Sequence, residues 1–280
     1  MKITHYTPES GIRSPLALTR EILSDLGPAH ALGLRLTQRN IKGQYRKSLL
    51  GYFWSVIPPL ITSLVWVILN GQRVVNIEDP GVPYPLFVLT GTMLWQIFSE
   101  SVNAPLKGVL AGKSMLSKIN FPRESLILAS IYETVFNSLI KIGLIILIFA
   151  WYQYLPPLSA LFSLTGLLSL MILGSTIGIL LTPIGMLYSD IQRGIGIILQ
   201  FGLYLTPVIY PEPKSGLIAQ VMQFNPVAPI LTTTRSLLLG NFVGGLGSFF
   251  WITIIACLLF LIGIFFYRVS MPILIERVGS

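Results

Sequence analysis

Six stretches of this chain are long and almost continuously apolar: residues 52–70, 84–102, 125–151, 158–187, 194–210 and 246–267. Each has about the length needed to cross a bilayer as a helix, roughly 17–25 residues. Charged or turn-forming segments separate them. The connections at 71–83 and 152–157 are short, which favours antiparallel neighbours. The pattern predicts an all-α integral membrane protein with six transmembrane helices.

Two further regions carry helical signals without being spans. Residues 17–26 read as a short helix that Gly27-Pro28 should end. After it, Arg35, Arg39, Lys42 and Arg46 recur at helical spacing, and Leu34, Ile41 and Tyr45 form a second stripe about 110° round the same helix. Such a helix suits the membrane interface, with its apolar stripe in the acyl boundary and its basic stripe on headgroups. An ordinary solvated basic segment is the plainer reading. Residues 1–51 are thus expected to form a cytoplasmic arm with an interfacial amphipathic helix, and 52–280 a six-helix transmembrane domain.

The second region is 211–245, where apolar clusters are interrupted by Pro226 and Pro229. Neither piece is long enough to span. Two short helices that dip into the membrane and return would fit, if protein or cavity water shields their irregular backbone. Asn225, Pro226 and Pro229 then mark a candidate re-entrant gate between spans five and six. A surface-lying loop is the alternative.

Composition supports the membrane assignment. Of 280 residues, 53% are hydrophobic and only 11% charged, against about 25% charged in soluble domains. Mean hydropathy is +0.74. The net charge of +8 would suggest nucleic acid in a soluble protein. Here cytoplasmic loops rich in Lys and Arg explain it, and no aromatic residues interleave with a basic surface, so nucleic acid is not expected as a partner. With a cytoplasmic N-terminus, about fifteen of the 19 Lys and Arg face the cytoplasm. Arg73, Lys214 and Arg235 take the opposite face, and Lys141 falls within a span. Both termini are then cytoplasmic. The first thirty residues lack the apolar core of a cleavable signal peptide.

Candidate chemistry is sparse. The single Cys257 lies in an apolar run, and His5 and His30 have no ligand partners at useful spacing, so no disulfide or metal site is expected. GVLAGKS, residues 108–114, approaches a nucleotide-binding loop. The G-x-x-x-x-G-K-[ST] pattern wraps phosphates with successive backbone N–H groups, but Lys107 occupies the position its first glycine needs. No cofactor is expected in this chain.

Glu100, Asn103 and Lys107 share one face of span two, and Glu133, Asn137 and Lys141 form a polar stripe along span three. Intramembrane ionisable groups normally face protein or water. Mutual pairing of Glu and Lys is one reading and a proton relay the other.

Pro58-Pro59, Pro183 and Pro207 sit in or beside spans, where each removes an N–H and bends the helix. Tyr52, Phe53, Trp54, Tyr204 and Tyr210 lie near the ends of spans one and five. Such rings usually anchor span ends in the headgroup region, but aromatic faces also stack on sugar rings, so a glycan path is an alternative.

Together these segments resemble the transmembrane subunit of type-2 ABC exporters for polysaccharides such as O-antigen, capsule or teichoic acid. The resemblance is carried by RNIKGQYRKSLLGYFWSVIPPL (39–60), KINFPRESL (118–126), YSDIQR (188–193), LTPVIYP (205–211) and FNPVAPIL (224–231). Ser189 departs from it, standing where the family often has Arg before the Asp. The resemblance implies a homodimer in the bacterial cytoplasmic membrane, enclosing a channel lined by spans one and five. Pro58 and Pro59 would shape its wall. It further implies a separate cytoplasmic P-loop ATPase, which binds ATP and Mg, and a lipid-linked glycan as substrate. The loop at 109–120, with Lys113, Met115 and Lys118, would dock into that ATPase as a coupling helix. A small proton-coupled transporter using Glu100 or Glu133 is the alternative from another class, and a type-2 permease for drugs or lipids is the alternative within this one.

Overall fold

The computed structural model describes residues 15–46, 49–116, 118–119, 121–213, 215–241 and 244–279. His5, Lys214 and Asn120 lie outside them. Among the described residues the chain is helical, with no strand. In chain order the helices are α1 (Pro15–Tyr45), α2 (Ile57–Gly71), α3 (Tyr84–Ala111), α4 (Lys113–Leu116), α5 (Glu124–Trp151), α6 (Ser163–Leu187), α7 (Ser189–Leu205), α8 (Leu217–Met222), α9 (Val227–Leu239) and α10 (Leu246–Gly279). Short 3-10 turns, Gly51–Ser55 and Leu158–Phe162, lead into α2 and α6.

Three stretches among these are long and apolar enough to cross a membrane: Glu124–Trp151, Leu158–Leu187 and Leu246–Leu274. The other three expected spans differ for identifiable reasons. α3 has the length, at 28 residues, but it is the central helix and carries the polar Gln96, Ser99, Glu100 and Asn103, half-buried along one cavity. α2 has 15 residues and α7 has 17. At 1.5 Å per residue these reach only about 22 and 25 Å, short of a hydrocarbon core of about 30 Å.

α3 and α6 form the centre, joined by small residues. A Cβ on Gly174 would stand 2.6 Å from the Ser101 Cβ, and one on Gly178 would stand 2.4 Å from the Val102 carbonyl oxygen. This Gly-x-x-x-Gly pair lets the two backbones approach as membrane helices do when small residues line the contact. Val88, Leu94, Ile97, Leu170, Ile230 and Leu231 fill the space around that axis. α9 is buried against α3, α6 and α10, whereas α8 is mostly exposed. A loop lying wholly on the surface therefore does not describe 211–245.

Pro28 does not end a helix. α1 runs through it without interruption from Pro15 to Tyr45. An interior proline costs about 3 kcal/mol, and tertiary packing offsets this. Ala29, Gly33, Leu36 and Thr37 are buried along α5, and the Thr37 hydroxyl donates to the Gly33 and Ala129 carbonyls. The predicted apolar stripe is not this buried face: Leu34 is exposed and Ile41 only half-buried. Arg35, Arg39, Lys42 and Arg46 are all exposed.

Candidate functional site

The entry to α2 resolves what its two prolines do. The expected single helix from Tyr52 is instead a 3-10 turn followed by a helix beginning at Ile57, so Pro58 and Pro59 occupy its first turn. Backbone N–H groups there have no intrahelical acceptor, so their absence costs nothing, and the fixed φ favours starting the helix. The prolines start the helix rather than bend it. Pro59 is buried and Pro58 exposed. The Ser63 hydroxyl bonds Pro59 O at 2.7 Å and Thr92 Oγ1 at 2.7 Å, fastening α2 to α3. Tyr52, Phe53 and Trp54 are exposed on the 3-10 turn, and the Tyr52 ring lies 5.7 Å from that of Phe136 on α5.

α7 leaves most of its surface open, with Ile195 its only buried residue. Arg193, Ile197, Gln200 and Tyr204 are all exposed and fall within about 60° of one another at a 100° step. A glutamine in the middle of an exposed helical face is unfavourable against lipid tails, so this face suits polar surroundings better than acyl chains. Tyr204 also brings α7 to α2, its ring centroid 6.3 Å from that of Trp66.

The expected span five ran to Tyr210, but α7 stops at Leu205. Pro207 cannot continue the helix, and Thr206 before it is extended, at φ −111° and ψ 144°. The segment that follows is pinned from several sides. Tyr210 Oη donates to Tyr204 O at 2.7 Å, and Tyr84 Oη donates to Ile209 O at 3.0 Å. Asn225 Nδ2 donates to Thr206 Oγ1 at 2.8 Å, while Asn225 Oδ1 accepts from Val227 N at 2.9 Å, so one side chain both caps α9 and holds the end of α7. Pro226 precedes the first turn of α9 and Pro229 lies within it. Both stand where a missing N–H is tolerated.

Arg235, which the charge count assigned to the outer side, is enclosed by protein, with only 5% of its surface exposed. Its Nη1 donates to Val208 O at 2.9 Å, and its guanidinium lies 3.7 Å over the Phe87 ring. A Cβ at Gly91 would sit 2.2 Å from that same Val208 oxygen, so only glycine leaves room for the loop. A cation in the apolar run 227–239 was the available signal for this anchor.

The two polar stripes meet. Glu100, Asn103 and Lys107 on α3 and Glu133 and Asn137 on α5 line one cavity of about 740 Å³, closed on a third side by Arg39 and Asn40 of α1. Behind it Lys141 Nζ donates to Glu100 Oε1 at 2.7 Å. Asn40 Nδ2 donates to Glu133 Oε1, also at 2.7 Å. Glu100 and Lys141 pair as one of the sequence readings had it.

The α3–α5 connection contains the one-turn helix α4. Lys113 and Lys118 are exposed and Met115 half-buried, and the Arg39 guanidinium reaches the Met115 sulfur at 3.5 Å. The loop therefore touches the end of α1. A second tie was not foreseen. Arg268 on α10 donates to Glu124 Oε1 and Asp25 Oδ2, each at 2.7 Å, with Glu21 at 3.6 Å. Among the described residues no cluster of three or more His, Cys, Asp or Glu is placed to hold a metal ion.

Comparison with known proteins places these features in a family. The chain is 28% identical over 239 residues to the O-antigen export system permease protein RfbA of Klebsiella pneumoniae, covering 82% of this chain and 87% of that one. It is 26% identical to RfbA of Myxococcus xanthus, covering 79% and 84%. It is 20% identical to the polysialic acid transport protein KpsM of Escherichia coli, covering 82% and 90%. Residues 33–239, from the middle of α1 to the end of α9, match the family described as ABC-2 type transporter. That match covers most of the chain, and the protein belongs to the ABC-2 type transporter family.

Proposed function

We propose that the chain is the membrane subunit of an ATP-driven exporter that moves a lipid-linked polysaccharide across the bacterial cytoplasmic membrane. Family membership and three relatives named for O-antigen or polysialic acid support the class. The observation that carries the glycan reading is the face of α7, where Gln200 and Tyr204 stand exposed beside Trp66 of α2. A sliding polymer needs many weak contacts, because conduction requires binding weak enough to release. Rings and amides supply these.

In this reading two copies of the chain face each other across α2 and α7. Both helices expose apolar rows that no described residue of the same chain covers, among them Ile61, Leu64, Ile68, Ile198 and Phe201. Six spans follow if the 3-10 turn extends α2 and the pinned segment 206–210 extends α7. α8 and α9 then form the re-entrant gate, with both termini cytoplasmic. A separate P-loop ATPase supplies energy by docking at Lys113, Met115 and Lys118. The proton-coupled alternative fits less well, since Glu100 is engaged by Lys141 and Glu133 by Asn40. A permease for drugs or lipids would share the architecture, and the names of the relatives favour glycan.

The test is export per molecule of protein in cells making the polymer. Tyr204→Ala should lower export while protein level and ATPase assembly stay unchanged. Normal export at a reduced protein level would make the ring a membrane anchor and contradict the glycan path.

A further inference from the structure

Arg235 on α9 carries a charge that its surroundings do not balance. It is buried, and among the described residues its one hydrogen bond runs from Nη1 to Val208 O, with no ion pair. The Phe87 ring beneath it offsets part of the charge. A guanidinium nonetheless has five N–H groups to place, and buried charges are normally met by an opposite charge and further hydrogen bonds. Lys141 has Glu100, and Arg268 has Glu124 and Asp25. Arg235 has no such carboxylate among the described residues. Its unbonded nitrogens are not sealed: among the described residues the enclosed side-chain atoms without a partner are Glu100 Oε2 and Thr233 Oγ1. The guanidinium therefore keeps an opening through which an acceptor can reach it.

Glu212 stands four residues beyond Val208, exposed and without an ion pair among the described residues. Four residues span at most about 14 Å, and Val208 already touches the guanidinium, so the carboxylate lies within reach. It is also the carboxylate whose charge acts on Arg235. Glu78 and Asp79 belong to the α2–α3 connection, where Asp79 Oδ1 accepts from Gly81 N at 2.9 Å. The chain around Glu212 is built as a short strut. Pro211 and Pro213 fix φ on either side of it and favour extended backbone at Tyr210 and Glu212. Before the strut, Tyr84 and Asn225 pin the backbone. After it, Gly216 has φ 98° and ψ 177°, a conformation left to glycine, and can serve as a pivot.

We propose that Glu212 and Arg235 form an intramolecular latch with two arrangements. In the one the structure shows, Glu212 is exposed and Arg235 rests on Val208 O and the Phe87 ring. In the other, the strut 211–213 swings inward and the Glu212 carboxylate accepts from the free N–H groups of Arg235. The bond to Val208 O is kept in both. Because the strut leads into α8, the two arrangements give α8 two positions against α9, a discrete element of the kind that conformational switches use. The latch depends neither on the polymer nor on the exposed face of α7.

Zero-length cross-linking of the full chain in membranes tests it. Arg235→Lys keeps the cation and supplies an amine. A water-soluble carbodiimide activates the Glu212 carboxyl, the amine attacks its carbonyl carbon, and an amide forms as the activating group leaves as a urea. The bond forms only where the two groups meet. Peptide mass spectrometry should find the 212–235 amide within single chains at about tenfold the yield of amides from position 235 to Glu78 or Asp79, because a contact raises the effective concentration. No 212–235 amide, an equal yield at Glu78 or Asp79, or an amide that joins two chains would each overturn the latch. Glu212→Gln gives a second reading that leaves the arginine in place and alters only an exposed side chain. It should lower the melting temperature by about 3 °C, while Glu78→Gln leaves it unchanged. Equal shifts in the two variants would overturn the proposal as well.

Discussion

Lys141 Nζ donates to Glu100 Oε1 at 2.7 Å between α5 and α3, with the lysine side chain fully enclosed and the glutamate side chain 25% exposed. Neither group could sit alone in this setting. Removing one partner of a buried pair leaves an uncompensated charge and costs about 3 kcal/mol or more, whereas replacing both by apolar or neutral groups is often neutral. Lys141→Met should therefore lower the melting temperature in detergent markedly, and adding Glu100→Gln should restore most of the loss. Two losses that simply add would show that the groups are not coupled.

Arg268 joins α10 to both α1 and α5 through Asp25 and Glu124. Charge-assisted hydrogen bonds of this kind contribute roughly 2 kcal/mol each. Arg268→Ala should expose α1 to limited proteolysis while the rest of the chain stays resistant. Arg268→Lys should recover little, because an ammonium cannot fork to two carboxylates as a guanidinium does. Full protection in Arg268→Lys would mean that charge alone, not the fork, fastens the helix.

Topology can be read at Glu212, an exposed residue between α7 and α8. With Cys257→Ser removing the exposed native thiol, Glu212→Cys should react with an impermeant thiol reagent in intact cells. Reaction only after lysis would reverse the assigned orientation.

Met115 stands on α4 in contact with Arg39, and Lys113 beside it offers an exposed charge for a transient protein contact. Met115→Asp should weaken ATPase binding or uncouple hydrolysis from export without reducing membrane insertion. Unchanged assembly and unchanged export would place the docking surface elsewhere.

Much of this was legible from composition and periodicity, because bilayer length and charge placement act on each segment by itself. The stretches around α5, α6 and α10 announce themselves by 28 or more residues with few charges. The polar stripes at Glu100 and Glu133 were readable as faces of helices, although the sequence did not reveal that they share a cavity. What periodicity missed depends on neighbours. Pro28 reads as a stop until α5 packs against Ala29 and Gly33. Pro58 and Pro59 read as a kink until the 3-10 turn puts them at a helix start. Arg235 reads as an outward-facing charge until Val208 O and the Phe87 ring close over it. Asn225 was marked by its proline neighbour, and its acceptance from Val227 N two residues on is local, yet its hydrogen bond to Thr206 is a tertiary fact.

The most direct measurement is photocrosslinking from the face of α7 in cells that are exporting polymer. A benzophenone amino acid replaces Tyr204 in one strain. In another it replaces Ile146, which is exposed on α5 away from the cavity lining. Position 204 should capture the polysaccharide only when the ATPase is active, and position 146 should capture lipid and no glycan. Equal glycan capture at both positions, or none at 204 while export continues, would contradict a path along α7.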